Sequence, residues 1–179
     1  MNGTGNRRPQ RLTGMTLIEV LVVIAIMAIV LGLASFSFQN SGQRQARISA
    51  EKLTAQINHA ALLATLSGSS MGLAFARDQY RFMQHEPPPA ELPWVPATQR
   101  GLYRVTLPTR IDRLALMLDS SAVALSADLP TTPQLVFAAN GQLPDFEILL
   151  RDDAGESEYL VTVAPDRFRA LLAPHFSDH

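Results

Sequence analysis

The sequence predicts an α+β protein in which one long N-terminal helix precedes a β-rich domain of antiparallel sheets. Three observations predict this class. An apolar segment of 24 residues runs from Met15 to Phe38, and a helical stripe follows it over residues 44–66. From Met71 onward, short apolar runs alternate with turn-forming residues, which is typical of strands. Hydrophobic residues make up 47% of the 179-residue chain and charged residues only 17%, so one stretch is unusually apolar.

Charge and cysteine content exclude several classes of function. The chain carries 15 Lys+Arg against 16 Asp+Glu, a net charge of −1, which argues against nucleic-acid binding through bulk charge. There is no cysteine, so disulfides, thiolate zinc sites, iron–sulfur clusters and a cysteine nucleophile are excluded.

The first 38 residues have the pattern of a membrane anchor. Residues 1–14 carry Arg7, Arg8 and Arg11 and no acid, which places them in the cytoplasm by the positive-inside rule. A helix over residues 15–38 reaches about 36 Å, enough to cross a hydrocarbon layer of about 30 Å. A cleaved secretory signal peptide fits less well because the apolar run is too long, and a buried core helix is disfavoured by the same length.

One acid interrupts this apolar segment and sets it apart from a plain signal anchor. Glu19 is the only charged residue between Met15 and Gln43. A carboxylate costs about 2.5 kcal/mol or more near the bilayer centre and less near its edge, and intramembrane acids tend to have a specific partner. Cleavage after Gly14 creates an amino group on Met15, close to Glu19. In a helical array, the carboxylate of one subunit then pairs with the amine of the next and sets the axial register.

The residues from Arg11 to Ile26 resemble the class III signal of type IV pilins and type II secretion pseudopilins. The resemblance implies that a membrane peptidase cuts between Gly14 and Met15, that Met15 is N-methylated, and that Glu19 is the assembly carboxylate. The usual first mature residue in this family is phenylalanine, so Met15 is a departure from the pattern.

The helix is expected to continue beyond the apolar segment. An apolar stripe recurs at spacings of three and four residues, at Ala46, Ala50, Leu53, Ile57, Ala60 and Ala64. Polar side chains are expected off the stripe, at Arg44, Arg47, Glu51, Lys52 and Gln56. Residues 67–70, with Gly68 as a cap, predict the end of a stem that spans Met15 to Leu66. The stripe is expected to face the core of the same subunit, with filament packing as the alternative.

Strands are expected over Met71–Ala76, Gln79–Gln84, Gly101–Leu107, Arg113–Asp119, Val123–Ala127 and Tyr159–Val163. The proline-rich stretch Glu86–Pro96 predicts polyproline II structure, either as a surface linker with Trp94 tucked onto the domain or as a docking loop. A hairpin is predicted over Gln134–Leu150, turning at Asn140-Gly141. A turn is expected at 152–156, and the tail at 165–172 is a last strand or a short helical turn.

The pattern over residues 135–152 resembles the C-terminal domain of GspH-type minor pseudopilins of the type II secretion system, a class shared with FimT/FimU-type minor pilins. The resemblance implies a cleaved leader at 1–14, a transmembrane half-helix at 15–38, a periplasmic half-helix at 39–66 and a periplasmic head at 67–179. It also implies a subunit near the tip of a periplasmic pseudopilus that helps to initiate assembly for export of folded proteins.

The partners implied are the other minor pseudopilins, the major pseudopilin, the prepilin peptidase and the inner-membrane assembly platform, with the secreted substrate or the secretin as further candidates. Two alternatives stay open: a minor pilin of a type IV pilus, and a membrane-tethered binding module that never assembles. The module is expected to be indifferent to Glu19, whereas an assembling subunit needs it.

Loss of the +3 leader leaves a mature charge of −4, which disfavours DNA binding despite local arginines at 100, 104, 110 and 113.

No pattern indicates catalysis, a cofactor or a metal site. His59 lies on the stem, and His85, His175 and His179 lie in a loop or the tail without a typical metal-ligand pattern. The acids at 152, 153, 156 and 158 lack the calcium-loop pattern and are expected to form a solvated turn.

Overall fold

The architecture is described from a computed structural model, for residues 17–86, 93–155 and 157–175, without the side chains of 33–41, 174 and 175. Two compact units divide the chain, Met1–Phe38 and Gln39–His179. Within the described residues, one helix is followed by ten strands: α1 Leu17–Ser67, β1 Met71–Phe75, β2 Gln79–His85, β3 Trp94–Pro96, β4 Val105–Thr106, β5 Ile111–Leu118, β6 Ser121–Val123, β7 Leu135–Phe137, β8 Phe146–Asp152, β9 Glu158–Val163 and β10 Ala170–His175.

Helix α1 ends where the sequence predicts. Its last residue is Ser67, and Gly68 follows with a φ of 63°, the left-handed conformation that glycine adopts without strain. The helix continues through Gly42 without a break. Gly42 is buried, and a Cβ there would lie 2.7 Å from Oδ1 of Asp153, so the helix packs closely against the turn between β8 and β9 at this glycine.

The first sheet has the order β3-β2-β1-β7, and β4 also pairs with β2. The predicted hairpin of β1 and β2 is confirmed, with Met71 opposite Gln84 and Phe75 opposite Tyr80. The prediction of polyproline II structure is wrong for the end of the proline-rich stretch, because β3 pairs with β2 there and Trp94 lies opposite His85. The rest of that prediction falls on residues 87–92, outside the described part of the chain.

The second sheet has the order β10-β9-β8-β5-β6, and every pair in it is antiparallel. The tail forms strand β10 rather than a helical turn. One predicted strand is shorter than expected, because only Val105–Thr106 pairs within 101–107. The strand predicted over Val123–Ala127 is wrong beyond its first residue, because β6 lies at Ser121–Val123 and residues 124–127 form no strand.

The predicted hairpin over residues 134–150 is wrong, because its two strands belong to different sheets. β7 pairs with β1, whereas β8 pairs with β5 and β9. The turn at Asn140-Gly141 does form: Gly141 has a φ of 81° and its amide donates to the carbonyl of Ala138 at 2.8 Å. A Cβ on Gly141 would collide with Oγ1 of Thr65, so this turn packs on α1.

In the described part of Gln39–His179, one cluster of buried residues joins the helix stripe to both sheets. All six predicted stripe residues are fully buried, which confirms that the stripe faces the core of this subunit. Their neighbours in the cluster come from the first sheet, such as Phe75 and Phe82, and from the second, such as Ile148 and Val161. Leu53 and Ile57 are the two large aliphatic side chains of the stripe, and full burial of each contributes about 1.5–3 kcal/mol, so they anchor α1 in this unit.

Candidate assembly surface of the N-terminal helix

The start of α1 presents an apolar surface with one acid. Every described side chain from Leu17 to Gly32 is exposed, and Leu17 is 82% exposed. Glu19 lies in the first turn. A negative charge is favoured there by the partial positive charge of the unpaired amide groups at the helix N-terminus. This segment therefore combines a large apolar area with one carboxylate.

Gly14 and Met15, the residues of the predicted cleavage site, lie outside the described residues. In the part of the chain that the structure describes, no helix is both long enough and apolar enough to cross a membrane. The predicted span at 15–38 includes residues beyond that part and stays a prediction.

The later half of α1 is attached to the head by polar contacts as well as by the stripe. The Oε1 atom of Gln56 accepts a 2.8 Å hydrogen bond from the hydroxyl of Tyr80, and its Nε2 donates to the carbonyl of Gly101 at 2.7 Å. The amide of Asn58 accepts from the backbone N–H of Ala170 at 2.7 Å and donates to its carbonyl at 3.2 Å. These contacts hold α1 to β2, to the loop before β4 and to the start of β10.

Gln56 was predicted to lie off the stripe, but the structure places it in a buried position, with 8% of its surface exposed. Gln56 lies three residues after Leu53 and four before Ala60, so the helical period places it beside the stripe. Its polar atoms are bonded to partners distant in sequence. The other polar residues predicted off the stripe are exposed: Arg44, Arg47, Glu51 and Lys52.

The acidic turn between β8 and β9 is only partly solvated, contrary to the sequence prediction. Asp153 is exposed and pairs with Arg110 at 3.4 Å, but Asp152 is 1% exposed and accepts from the N–H of Ser157 at 3.3 Å. Among the described residues, no group of three histidine or carboxylate side chains could hold a metal ion. This turn supports α1 at Gly42, which gives it a structural role.

The four arginines that the sequence suggested as a local patch lie on separate elements. Arg100 and Arg104 are in the loop before β4, where Arg104 donates from Nε to Oε1 of Gln79 at 2.7 Å. Arg110 pairs with Asp153, and Arg113 lies in β5 of the second sheet.

Comparison with known proteins shows what this arrangement is similar to. Residues 11–35 match the model of the prokaryotic N-terminal methylation motif. Type II secretion system protein H of Escherichia coli K12 is 30% identical over 152 residues, which is 84% of this chain and 86% of that protein. The chain belongs to the type II secretion system protein H family. The protein of the same name from Pseudomonas aeruginosa is 30% identical over 87% of this chain and 92% of its own length.

The fold agrees with this assignment. A crystal structure of the minor pseudopilin EpsH from the type II secretion system of Vibrio cholerae has a TM-score of 0.63 and 22% identity, over 77% of this chain and all of that one. The solution structure of Escherichia coli GspH has a TM-score of 0.58 and 21% identity, over 76% of this chain and 93% of that one.

The chain is thus a GspH-type minor pseudopilin with the predicted α+β, type IV pilin-like fold. The alternative assignment to a type IV pilus is not favoured. The methylation motif and the family are those of a membrane-anchored pseudopilin, and membership implies contacts with other pseudopilus components.

Proposed function

We propose that this chain is a low-copy structural subunit at or near the tip of the periplasmic pseudopilus, where it helps to initiate assembly for export of folded proteins. The observation that carries the proposal is the contrast between the two parts of α1. The stripe at 46–64 is buried by the subunit's own head, whereas the apolar side chains of 17–32 are exposed and include a single acid. An exposed apolar surface of this size needs lipid or neighbouring helices to cover it.

The proposed processing follows from the N-terminal residues. The prepilin peptidase cuts between Gly14 and Met15, and Met15 is N-methylated. The match of residues 11–35 to the methylation motif supports both steps. Cleavage places a cationic amine four residues before Glu19, and pairing between subunits lowers the cost of holding either charge in lipid. Glu19 is therefore the residue that favours assembly and sets register.

The proposed topology assigns each segment to a compartment. Residues 1–14 are cytoplasmic, 15–38 cross the inner membrane once, and 39–66 continue the helix into the periplasm, where 67–179 form the head. The excess of arginine before the apolar segment supports this orientation. The proposed partners are the major and other minor pseudopilins and the inner-membrane assembly platform, with the secreted substrate or the secretin as further candidates. The proposed role is structural and needs no catalytic group or cofactor.

A clean deletion of the gene, scored in parallel for exoprotein secretion and pilus-driven motility, tests this function. We expect secretion to be lost and motility to be normal, with recovery on complementation by the wild-type chain. Loss of motility with normal secretion would instead assign the chain to a type IV pilus. Normal secretion and normal motility would overturn an assembly role and leave the tethered binding module.

Processing is tested separately by mass spectrometry of the chain purified from membranes. The expected product begins at Met15 and is heavier by one methyl group. A product that retains residues 1–14, or that begins elsewhere, contradicts the proposed cleavage site.

A further inference from the structure

A recess of about 310 Å³ lies between α1 and the loop that precedes β4, on a face of the head that the proposed function does not use. Six residues line it: Lys52, Ala55, Gln56, His59, Gly101 and Tyr103. Lys52, Ala55 and His59 fall on one exposed face of the helix, since residues three and four apart are neighbours on a helix surface.

The walls of the recess are held together by two hydrogen bonds of Gln56. Gln56 donates to the carbonyl of Gly101 at 2.7 Å and accepts from the buried hydroxyl of Tyr80, which fixes the loop against the helix. Gly101 has a φ of 90°, and a Cβ built there would lie 3.6 Å from Nδ1 of His59. The recess is therefore preformed, which lowers the entropic cost of filling it.

The recess carries a cation that no acid of the described residues neutralises. The Nζ atom of Lys52 lies 5.1 Å from the ring centroid of Tyr103, and no described carboxylate is within salt-bridge distance of it. The neighbouring acid, Glu51, is bound to Arg47 at 2.8 Å and turns to another partner. Arg100 and Arg104 add positive charge to the same loop, and neither has a described carboxylate within salt-bridge distance.

We infer that this recess binds an acidic segment of another pseudopilus subunit, with a partner carboxylate on Lys52 and an adjacent apolar side chain against Tyr103. This inference rests on the proposed function, since it names the chemistry of one assembly contact. Charge complementarity supports it: the mature chain is −4 overall, so the Lys52 ammonium in the recess runs against the net charge of its own subunit and matches an acidic partner. Tyr103 is 53% exposed, and its ring offers apolar area beside the ammonium group.

Lys52 is the only lysine of the chain, which allows a direct test. A water-soluble carbodiimide removes water between an amine and a carboxylate in contact and leaves an amide bond. Membranes with assembled pseudopili are treated in this way, and the products are identified by mass spectrometry. We expect Lys52 joined to an Asp or Glu of another pseudopilin, and loss of that product in Lys52→Arg. Products in which Lys52 is unreacted, or is joined only to a second copy of this chain, overturn the inference.

Charge reversal gives the functional readout. We expect Lys52→Glu to lower exoprotein secretion by about tenfold, because like charges at an interface are strongly unfavourable. Lys52→Arg keeps the positive charge and is expected to retain most of the wild-type secretion. Arg113→Glu is the matched control, since Arg113 is an exposed cation on β5 of the other sheet without a described salt bridge. The comparison is made in a strain where deletion of the gene abolishes secretion. Equal secretion by Lys52→Glu and Arg113→Glu there overturns the inferred role of the recess and leaves the proposed function intact.

Discussion

The buried pair of Tyr80 and Gln56 permits a quantitative test of how the helix is attached to the head. Tyr80 is 1% exposed and Gln56 8% exposed, and the phenol donates to the amide oxygen at 2.8 Å. The perturbation is Tyr80→Phe, which removes only the hydroxyl and leaves Oε1 of Gln56 buried without that donor.

The expected cost follows from the burial of the amide oxygen. A buried acceptor left without a donor costs about 1–3 kcal/mol, whereas replacement of both partners by apolar groups is nearly neutral. Tyr80→Phe alone is therefore expected to lower the free energy of unfolding by about 1–3 kcal/mol. In the double variant Tyr80→Phe with Gln56→Leu, we expect water to replace Gln56 at the carbonyl of Gly101, since Gly101 is exposed. The double variant is expected to be at least as stable as the less stable of the two single variants. Its loss of unfolding free energy is then smaller than the sum of the two single losses, by a coupling energy of about 1 kcal/mol or more.

The assay is urea unfolding of the full chain in detergent, followed by the fluorescence of Trp94, the only tryptophan. Its ring meets that of His85 edge-on at a centroid distance of 5.3 Å, so its emission reports the packing of the first sheet. Tyr103→Phe is the control, because that hydroxyl belongs to an exposed residue and its loss is expected to change stability by less than about 0.5 kcal/mol. Strict additivity of the two substitutions, or a Tyr80→Phe chain as stable as Tyr103→Phe, would refute the reasoning.

Three further predictions use the same unfolding assay. Ile57→Ala is expected to lower the free energy of unfolding by about 2–5 kcal/mol, because Ile57 is fully buried in the stripe. Leu62→Ala on the exposed face is expected to lower it by less than about 0.5 kcal/mol, and equal losses would contradict the burial of the stripe. Gly141→Ala is expected to cost more than Gly155→Ala, since both have positive φ but only Gly141 would also collide with α1. Burial, and to a smaller degree the nearby Tyr103, raises the pKa of the Tyr80 phenol above its usual value. Because the folded state holds the phenol proton more tightly than the unfolded state does, the free energy of unfolding keeps its full value below about pH 10. It falls as the pH rises from there toward the folded-state pKa, and Tyr80→Phe should reduce this fall.

The sequence predicts those parts of the fold that depend on neighbours close along the chain. The stripe from Ala46 to Ala64 has the helical period, and it is buried as expected. The helix end at Ser67 follows from the glycine cap, and the hairpin of β1 and β2 follows from a two-residue turn between short strands. Each of these features is set by local geometry.

The features that the sequence does not predict depend on distant partners. The strands of 134–150 have the pattern of one hairpin, but Gly141 packs against α1 and the chain passes from one sheet to the other. Gln56 lies three residues from Leu53, beside the stripe, so the helical period turns it toward the core. Its hydrogen-bond partners, Tyr80 and Gly101, are 24 and 45 residues away in sequence. No periodicity of the helix itself encodes such partners.

The recovery of Glu19→Leu in assembled pseudopili tests the central claim most directly. The chain is quantified in membranes and in purified pseudopili for wild type, Glu19→Leu and Val20→Leu, the last being an apolar control one residue away. We predict that all three reach the membrane equally, that Val20→Leu is incorporated like wild type, and that incorporation of Glu19→Leu falls by at least about tenfold because the Met15 amine loses its partner. Incorporation of Glu19→Leu at the wild-type level would contradict assembly through a paired charge.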